Sequence, residues 1–113
     1  MHTNLTITGF LLTDMRVGRI IDAQTFQKAR KPAYKLLIDF GPQIGIKKSS
    51  AQITDYYTPE NLIGKQIVAV VNFAPRQIAD FMSECLVLGI YDLNGAVVLL
   101  QPERAMLNGQ KIG

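Results

Sequence analysis

One run of six residues, 66–71, constrains the fold of this chain more than any other feature. Its sequence is QIVAVV, and this apolar, β-branched character is typical of a strand that is covered on both faces. Asn72 and Pro75 interrupt the pattern, because proline has no amide donor and asparagine tolerates turn conformations. The sequence therefore predicts a buried strand that ends in a polar turn.

The chain then returns to the core with the apolar run CLVLGI at 85–90. The polar residues between the two runs, Arg76, Ser83 and Glu84, are expected at the rim of the sheet, where a small barrel displays a site. The alternative is an ion pair between Arg76 and Glu84 across a hairpin. Cys85 lies inside an apolar run, which favours a buried, inert thiol over a nucleophile, and a single cysteine forms no internal disulfide.

Alternating patterns indicate the strands on the amino-terminal side. We predict a first strand at 16–26, with Gly18 marking a bend or bulge. In residues 34–40, Tyr34 shares one side with Leu36, Ile38 and Phe40, so it is expected in the core rather than as a platform for a base. The segment 44–54 begins as a strand and ends in small hydroxylated residues, which would leave its backbone accessible.

Turn signals divide the rest of the chain. Thr58, Pro59 and Gly64 are placed to cap, begin and end a single helical turn. The pair Asn94-Gly95 predicts a hairpin between strands at 85–91 and 96–100.

Short β segments, one helical turn and no α/β alternation predict a mostly β fold, an OB-fold built as a five-stranded Greek-key barrel. We expect one domain over 1–113, with a helical extension at 1–14 and a second extension at 101–113. The amino-terminal extension is rich in apolar residues, so it is expected either to close one end of the barrel or to be buried against a second subunit.

Charge is concentrated in one part of the sequence. The net charge is +3, whereas residues 28–48 hold six basic residues and one acidic residue, a local net charge of +5. This tract indicates a surface for phosphate or another polyanion; the alternative is a solvated lysine face. Its basic residues are Lys28, Arg30, Lys31, Lys35, Lys47 and Lys48.

Groups that could carry out chemistry are few. His2 is the only histidine, common zinc spacings and a phosphate-binding glycine loop are absent from the sequence, and Asp80 and Glu84 are expected in structural ion pairs with Arg76. We therefore predict no catalysis, no metal and no cofactor. The apolar runs are far below the roughly 20 residues that span a bilayer, so we expect no membrane insertion and a cytoplasmic protein.

Four blocks of sequence, in order, carry a resemblance to a known family. They are DMRVGRI at 14–20, PAYKLLIDFG at 32–41, IKKSSAQIT at 46–54, and VVNFAPR at 70–76 followed by Ser83-Glu84. Together they resemble the free-standing tRNA-binding domain. The string SSAQIT and the ending LQP at 100–102 are similar to its CsaA-type subgroup of export-related chaperones.

The resemblance implies a homodimer with an OB-fold and no catalysis. It implies binding of unfolded or precursor polypeptides and of the export machinery, or binding of tRNA by shape and backbone through a basic surface. An assembly subunit without a ligand is the third alternative. Transferred onto this chain, the ligand-binding positions are Lys47, Lys48, Ser49, Ser50, Gln52, Asn72, Arg76, Ser83 and Glu84.

Overall fold

A computed structural model describes residues 3–113. His2, the single histidine, lies outside the described residues. The elements in chain order are α1 (Ile7–Leu11), β1 (Met15–Thr25), β2 (Tyr34–Asp39), β3 (Ile46–Ala51), α2 (Pro59–Leu62), β4 (Gln66–Val70), β5 (Arg76–Ile78), β6 (Phe81–Ser83), β7 (Leu86–Val87), β8 (Gly89–Tyr91) and β9 (Val97–Leu99).

Five antiparallel strands in the order β3-β2-β1-β4-β7 form a nearly closed barrel. Two hairpins, β5–β6 and β8–β9, lie outside this sheet. The long strand β1 pairs with β4 through its first half and with β2 through its second half. The predicted mostly β, OB-like barrel is confirmed.

The distortion in β1 lies at a different position from the one that the sequence suggested. The register with β2 shifts between Ile20 and Asp22, whereas Gly18 is in regular register with Ile67. A Cβ atom on Gly18 would lie 2.6 Å from the side chains of Ile38 and Phe40. Glycine is therefore required there by close packing, and the predicted bulge at Gly18 is wrong.

The core contains the inward side of β2, as the alternation predicts. Leu36, Ile38 and Phe40 are almost completely buried, and Tyr34 is only 9% exposed. The buried hydroxyl of Tyr34 donates to the backbone oxygen of Tyr57 at 2.7 Å, which satisfies its polar group. The prediction that Tyr34 is a core residue is confirmed.

The predicted helical turn and the second hairpin are also present. Thr58 and Asn61 form a capping box at the start of α2, Pro59 occupies the first turn, and Gly64 ends it with a φ of +95°. The predicted strand at 85–91 is divided into β7 and β8. The amide of the intervening Leu88 still donates to Val68 at 2.9 Å, so the segment remains attached to β4.

Two terminal segments flank the barrel. The short helix α1 is capped by Thr6 and has no buried residue; Leu5, Ile7 and Leu12 are each more than 70% exposed. The carboxy-terminal segment runs beside the start of β1 through a bridge between Arg16 and Lys111. Within residues 3–113, no helix has the length and apolar character needed to cross a membrane.

Candidate ligand-binding groove

A groove runs along the end of β3, between the 28–33 loop, the β5–β6 hairpin and β7. It consists of three adjoining clefts of about 710, 270 and 430 Å³. All three are lined by Ser50, Arg76 and Ile78, which makes them parts of one surface. We call this surface the β3 groove.

One part of the β3 groove is basic. Four cationic side chains line it, and no acidic residue does: Lys28, Arg30, Lys31 and Arg76. The ammonium of Lys28 lies 2.8 Å from a carboxylate oxygen of Asp80 at the tip of the β5–β6 hairpin. This hydrogen bond raises the pKa of Lys28 and lowers the pKa of Asp80. The ion pair connects the two loops that border the basic part.

The other part of the β3 groove is apolar. Its walls include Phe73, Leu86 and Tyr91, which are 56%, 49% and 79% exposed. Ile78 and Val97 contribute further apolar surface. Apolar walls beside a few polar groups are the usual composition of ligand-binding clefts.

Strand β3 is the edge of the sheet, and side chains occupy part of that edge. The backbone amide of Lys48 donates to Glu84 Oε1 at 2.8 Å, and the amide of Ser50 donates to Ser83 Oγ at 3.0 Å. The amide of Glu84 in turn donates to the Lys48 carbonyl at 2.8 Å. The gap between β3 and the residues before β7 is therefore closed by two side-chain bonds and one backbone bond instead of a continuous ladder.

The edge is unoccupied further along β3. The ladder with β2 alternates, so the carbonyl of Ser50 points away from β2, as its amide does. Nothing within residues 3–113 donates to that carbonyl or accepts from the amide of Gln52. Ser50 and Gln52 both line the groove, and these two unbonded backbone groups are available to an extended ligand.

The β5–β6 hairpin brings Arg76 and Ser83 together as register partners. The expected ion pair between Arg76 and Glu84 is not formed, because the Glu84 carboxylate accepts from the Lys48 amide instead. Asp80 pairs with Lys28 rather than with Arg76. The expectation of structural ion pairs centred on Arg76 is therefore wrong, and the guanidinium of Arg76 lies exposed in the groove.

Two of the sequence-predicted site residues hold the fold together. Ser49 is 1% exposed, and its hydroxyl donates to the Cys85 carbonyl at 3.1 Å, so its side chain faces the barrel interior. The side-chain amide of Asn72 donates to Leu12 and accepts from the amide of Asp14, which fixes the exit of the amino-terminal segment. Ser50, Gln52, Arg76 and Ser83 line the groove.

The remaining lysines divide between different surfaces. The ammonium groups of Lys35 and Lys48 lie 5.9 and 5.4 Å from the ring centre of Phe81, and Phe81 packs edge-on against Phe26. Lys47 points to the opposite side of β3, in line with Ser49. The basic residues therefore lie at several places: Lys28, Arg30 and Lys31 border the groove, and Lys35 and Lys48 flank Phe81, next to Asp80.

Sequence reasoning missed several residues of the site. Phe73, Leu86 and Ile78 supply its apolar walls, and Asp80 contacts its basic part. The fold of the β5–β6 hairpin and of the segments on either side of it places these residues beside β3. The two-residue turn Ala79-Asp80 joins the paired residues Ile78 and Phe81. A two-residue loop is typical of a hairpin, but Ala-Asp is not a typical turn sequence, and Ala79 has a φ of +52°.

Catalytic and metal-binding groups do not converge on the groove in the part of the chain that is described. Cys85 borders it, but burial raises the pKa of the thiol to about 11, which keeps it protonated near neutral pH. No cluster of three or more metal-binding side chains occurs among residues 3–113. The arrangement is suited to binding.

Comparisons with known proteins identify the same family along most of the chain. The family model "Putative tRNA binding domain" matches residues 15–111. The methionine–tRNA ligase of Pelodictyon phaeoclathratiforme is 37% identical over 96% of this chain, and that of Methanocaldococcus jannaschii is 31% identical over 88%. The chain spans about 15% of the length of these relatives.

Solved structures match over nearly the whole chain. The chaperone CsaA of Bacillus anthracis has a TM-score of 0.92 and 52% identity, covering 98% of this chain and 100% of that one. The CsaA chaperone protein of Picrophilus torridus has a TM-score of 0.91 and 51% identity, covering 97% and 100%. From the match to residues 15–111, the chain belongs to the tRNA-binding domain family.

Proposed function

We propose that this chain is a non-catalytic binding protein that holds unfolded or precursor polypeptides in the β3 groove. The observation that carries the proposal is the pair of unbonded backbone groups, the Ser50 carbonyl and the Gln52 amide, beside apolar walls. An extended peptide bonds to such an edge through its backbone and places alternate side chains in neighbouring pockets. The likeness to CsaA chaperone structures supports the same class of ligand.

The test is binding of a fluorescently labelled, permanently unfolded polypeptide, measured by anisotropy. We expect association in the micromolar range and a several-fold loss on Leu86→Ala, since Leu86 forms part of the apolar wall. Leu93→Ala is the matched control, because Leu93 is fully exposed on the β8–β9 turn outside the groove lining. Absence of binding at accessible concentrations, or equal loss in both variants, would refute the proposal.

A second candidate function is tRNA binding. It is favoured by family membership and by Lys35 and Lys48, which flank Phe81 on the outer face of β2–β3. In OB-folds this face and the adjoining loops are the usual nucleic-acid surface. Binding should then weaken steeply with salt, vary little with RNA sequence and fall on combined charge reversal of Lys35 and Lys48. If tRNA binding changed neither with salt nor with these substitutions, the lysines would serve only to keep the surface soluble.

The assembly we propose is a homodimer in the cytoplasm, with export machinery as a further partner. The exposed side chains of Leu5, Ile7 and Leu12 support a second subunit, because a large apolar patch on a monomer is unfavourable. Sedimentation should return about twice the chain mass of 12.5 kDa. In the same proposal, residues 1–14 and 101–113 are extensions of a single domain over 1–113. A monomer mass at micromolar concentration would refute the dimer.

A further inference from the structure

The β3 groove combines two chemistries within the reach of one short segment. Its basic part and its apolar part share Ser50, Arg76 and Ile78, so a ligand in contact with one part lies against the other. The free backbone groups of Ser50 and Gln52 lie in the lining of both parts. A peptide segment bound there would therefore be recognised through backbone, apolar and charged contacts together.

The basic part offers cations that are available to a ligand. Within residues 3–113, the side chains of Arg30, Lys31 and Arg76 have no carboxylate within 4.0 Å. All three are exposed, and guanidinium groups bind carboxylates through paired hydrogen bonds. The carboxylate of Asp80, which borders this part, is bonded to Lys28.

We infer that the β3 groove selects polypeptide segments in which an apolar stretch lies next to acidic residues. The inference rests on the proposed function and names its class of substrate. The apolar residues contact Phe73, Leu86 and Ile78, and the acidic residues pair with Arg30, Lys31 and Arg76. A segment with basic residues at the same place meets like charge and binds more weakly.

The phosphates of an RNA pair only with the basic part. Its bases can stack on Phe73, but an RNA does not form the regular backbone bonds with the edge of β3 that an extended peptide forms. The apolar wall and the free strand edge therefore favour a polypeptide over a nucleic acid in this groove.

The experiment compares three synthetic peptides with the same central apolar stretch and flanks of Glu, Gln or Lys. Their dissociation constants are measured by anisotropy at low and at moderate salt. We expect the order Glu, Gln, Lys from tightest to weakest, with about tenfold between the first and the last at low salt and a smaller ratio at higher salt. A poly-Glu peptide without the apolar stretch and a short single-stranded RNA complete the set, and both should bind less tightly than the Glu-flanked peptide.

Charge variants test whether the preference for acidic flanks arises in the β3 groove. Combined Arg30→Glu and Lys31→Glu should invert the preference between Glu and Lys flanks. Combined Lys65→Glu and Lys111→Glu changes the net charge equally at residues outside the groove lining and should leave the order unchanged. Unfolding midpoints of both variants check that the fold is retained.

The outcomes separate the two proposals. Equal affinity for all three flanks would overturn the acidic preference and leave the proposed function standing. Failure of every peptide to bind would overturn both. Tighter binding of the RNA or of poly-Glu than of the Glu-flanked peptide would show that charge alone is recognised, which would overturn this inference.

Discussion

The hydroxyl oxygen of Ser83 accepts a hydrogen bond from the backbone amide of Ser50 at 3.0 Å. Glu84 does the same for the amide of Lys48, so two consecutive side chains cover two outward-facing amides of β3. Ser50 and Ser83 both line the groove. The amides of Lys48 and Ser50 are therefore bonded. Among residues 3–113, the Ser50 carbonyl and the Gln52 amide have no such partner, and the edge of β3 is open there.

Removing the Glu84 carboxylate should loosen the β3 edge. In Glu84→Ala the amide of Lys48 loses its acceptor, and we expect a loss of about 1–2 kcal/mol in the free energy of unfolding, together with faster amide exchange at Lys48. Glu84→Gln is the matched control, because its amide oxygen can still accept the bond. Equal destabilisation by the two substitutions would contradict this role.

Ala79 adopts a backbone conformation that favours glycine. Its φ of +52° lies in the left-handed region, where a Cβ atom is unfavourable. We expect Ala79→Gly to raise the free energy of unfolding by about 0.5–1 kcal/mol, measured in urea, and Ala79→Val to lower it. A loss of stability in the glycine variant would show that this turn is not strained.

Gly18 is required by packing rather than by backbone freedom. In Gly18→Ala the new methyl group would lie 2.6 Å from Ile38 and Phe40, in the centre of the core. Such overpacking should lower the free energy of unfolding by about 1–3 kcal/mol. Gly113→Ala introduces the same group where nothing lies within 4 Å and should be nearly neutral. If Gly18→Ala left the free energy of unfolding unchanged, β1 and the neighbouring β2 would move apart easily to make room for the methyl group.

Cys85 should make stability depend on alkaline pH. Burial raises the pKa of the thiol to about 11 in the folded protein, above its value in the unfolded chain. This contribution is therefore complete below the unfolded pKa and is lost as the pH rises towards 11. The slope of unfolding free energy against pH in this range should be smaller in Cys85→Ala. Identical slopes, or rapid alkylation of the native thiol at pH 8, would contradict the buried position.

The ion pair between Lys28 and Asp80 should be visible in a titration. The hydrogen bond from Lys28 lowers the pKa of Asp80, so Lys28→Ala should raise that pKa, as measured by NMR of the side-chain carboxyl. Both groups are exposed, and added salt should produce a smaller shift in the same direction. Lys65→Ala is the control and should have no effect. An unchanged Asp80 pKa in Lys28→Ala would show that the two loops are not connected in solution.

Periodicity and turn chemistry predicted most of the barrel. The alternation around Tyr34, the apolar run at 66–71 and the caps of α2 depend on neighbouring residues, and all are present. The register shift after Ile20 and the close packing of Gly18 depend on partners about 15 to 22 residues away. Local sequence carries no signal for them.

The site was predicted in part for the same reason. Ser50, Gln52, Arg76 and Ser83 lie in the groove, but Ser49 faces inward because alternate residues of β3 face opposite sides. The roles of Glu84 and Asp80 depend on where the β5–β6 hairpin folds. Their binding roles, and those of the other predicted residues, stay predictions.

The most direct test of the central claim is amide NMR of the protein with an excess of an apolar, acidic-flanked peptide. If the open edge of β3 holds an extended polypeptide, the amide of Gln52 becomes protected from exchange, and the largest shift changes fall at Ser50, Gln52, Arg76 and Ile78. Changes confined to other surfaces, with Gln52 still exchanging as in the free protein, would contradict the account.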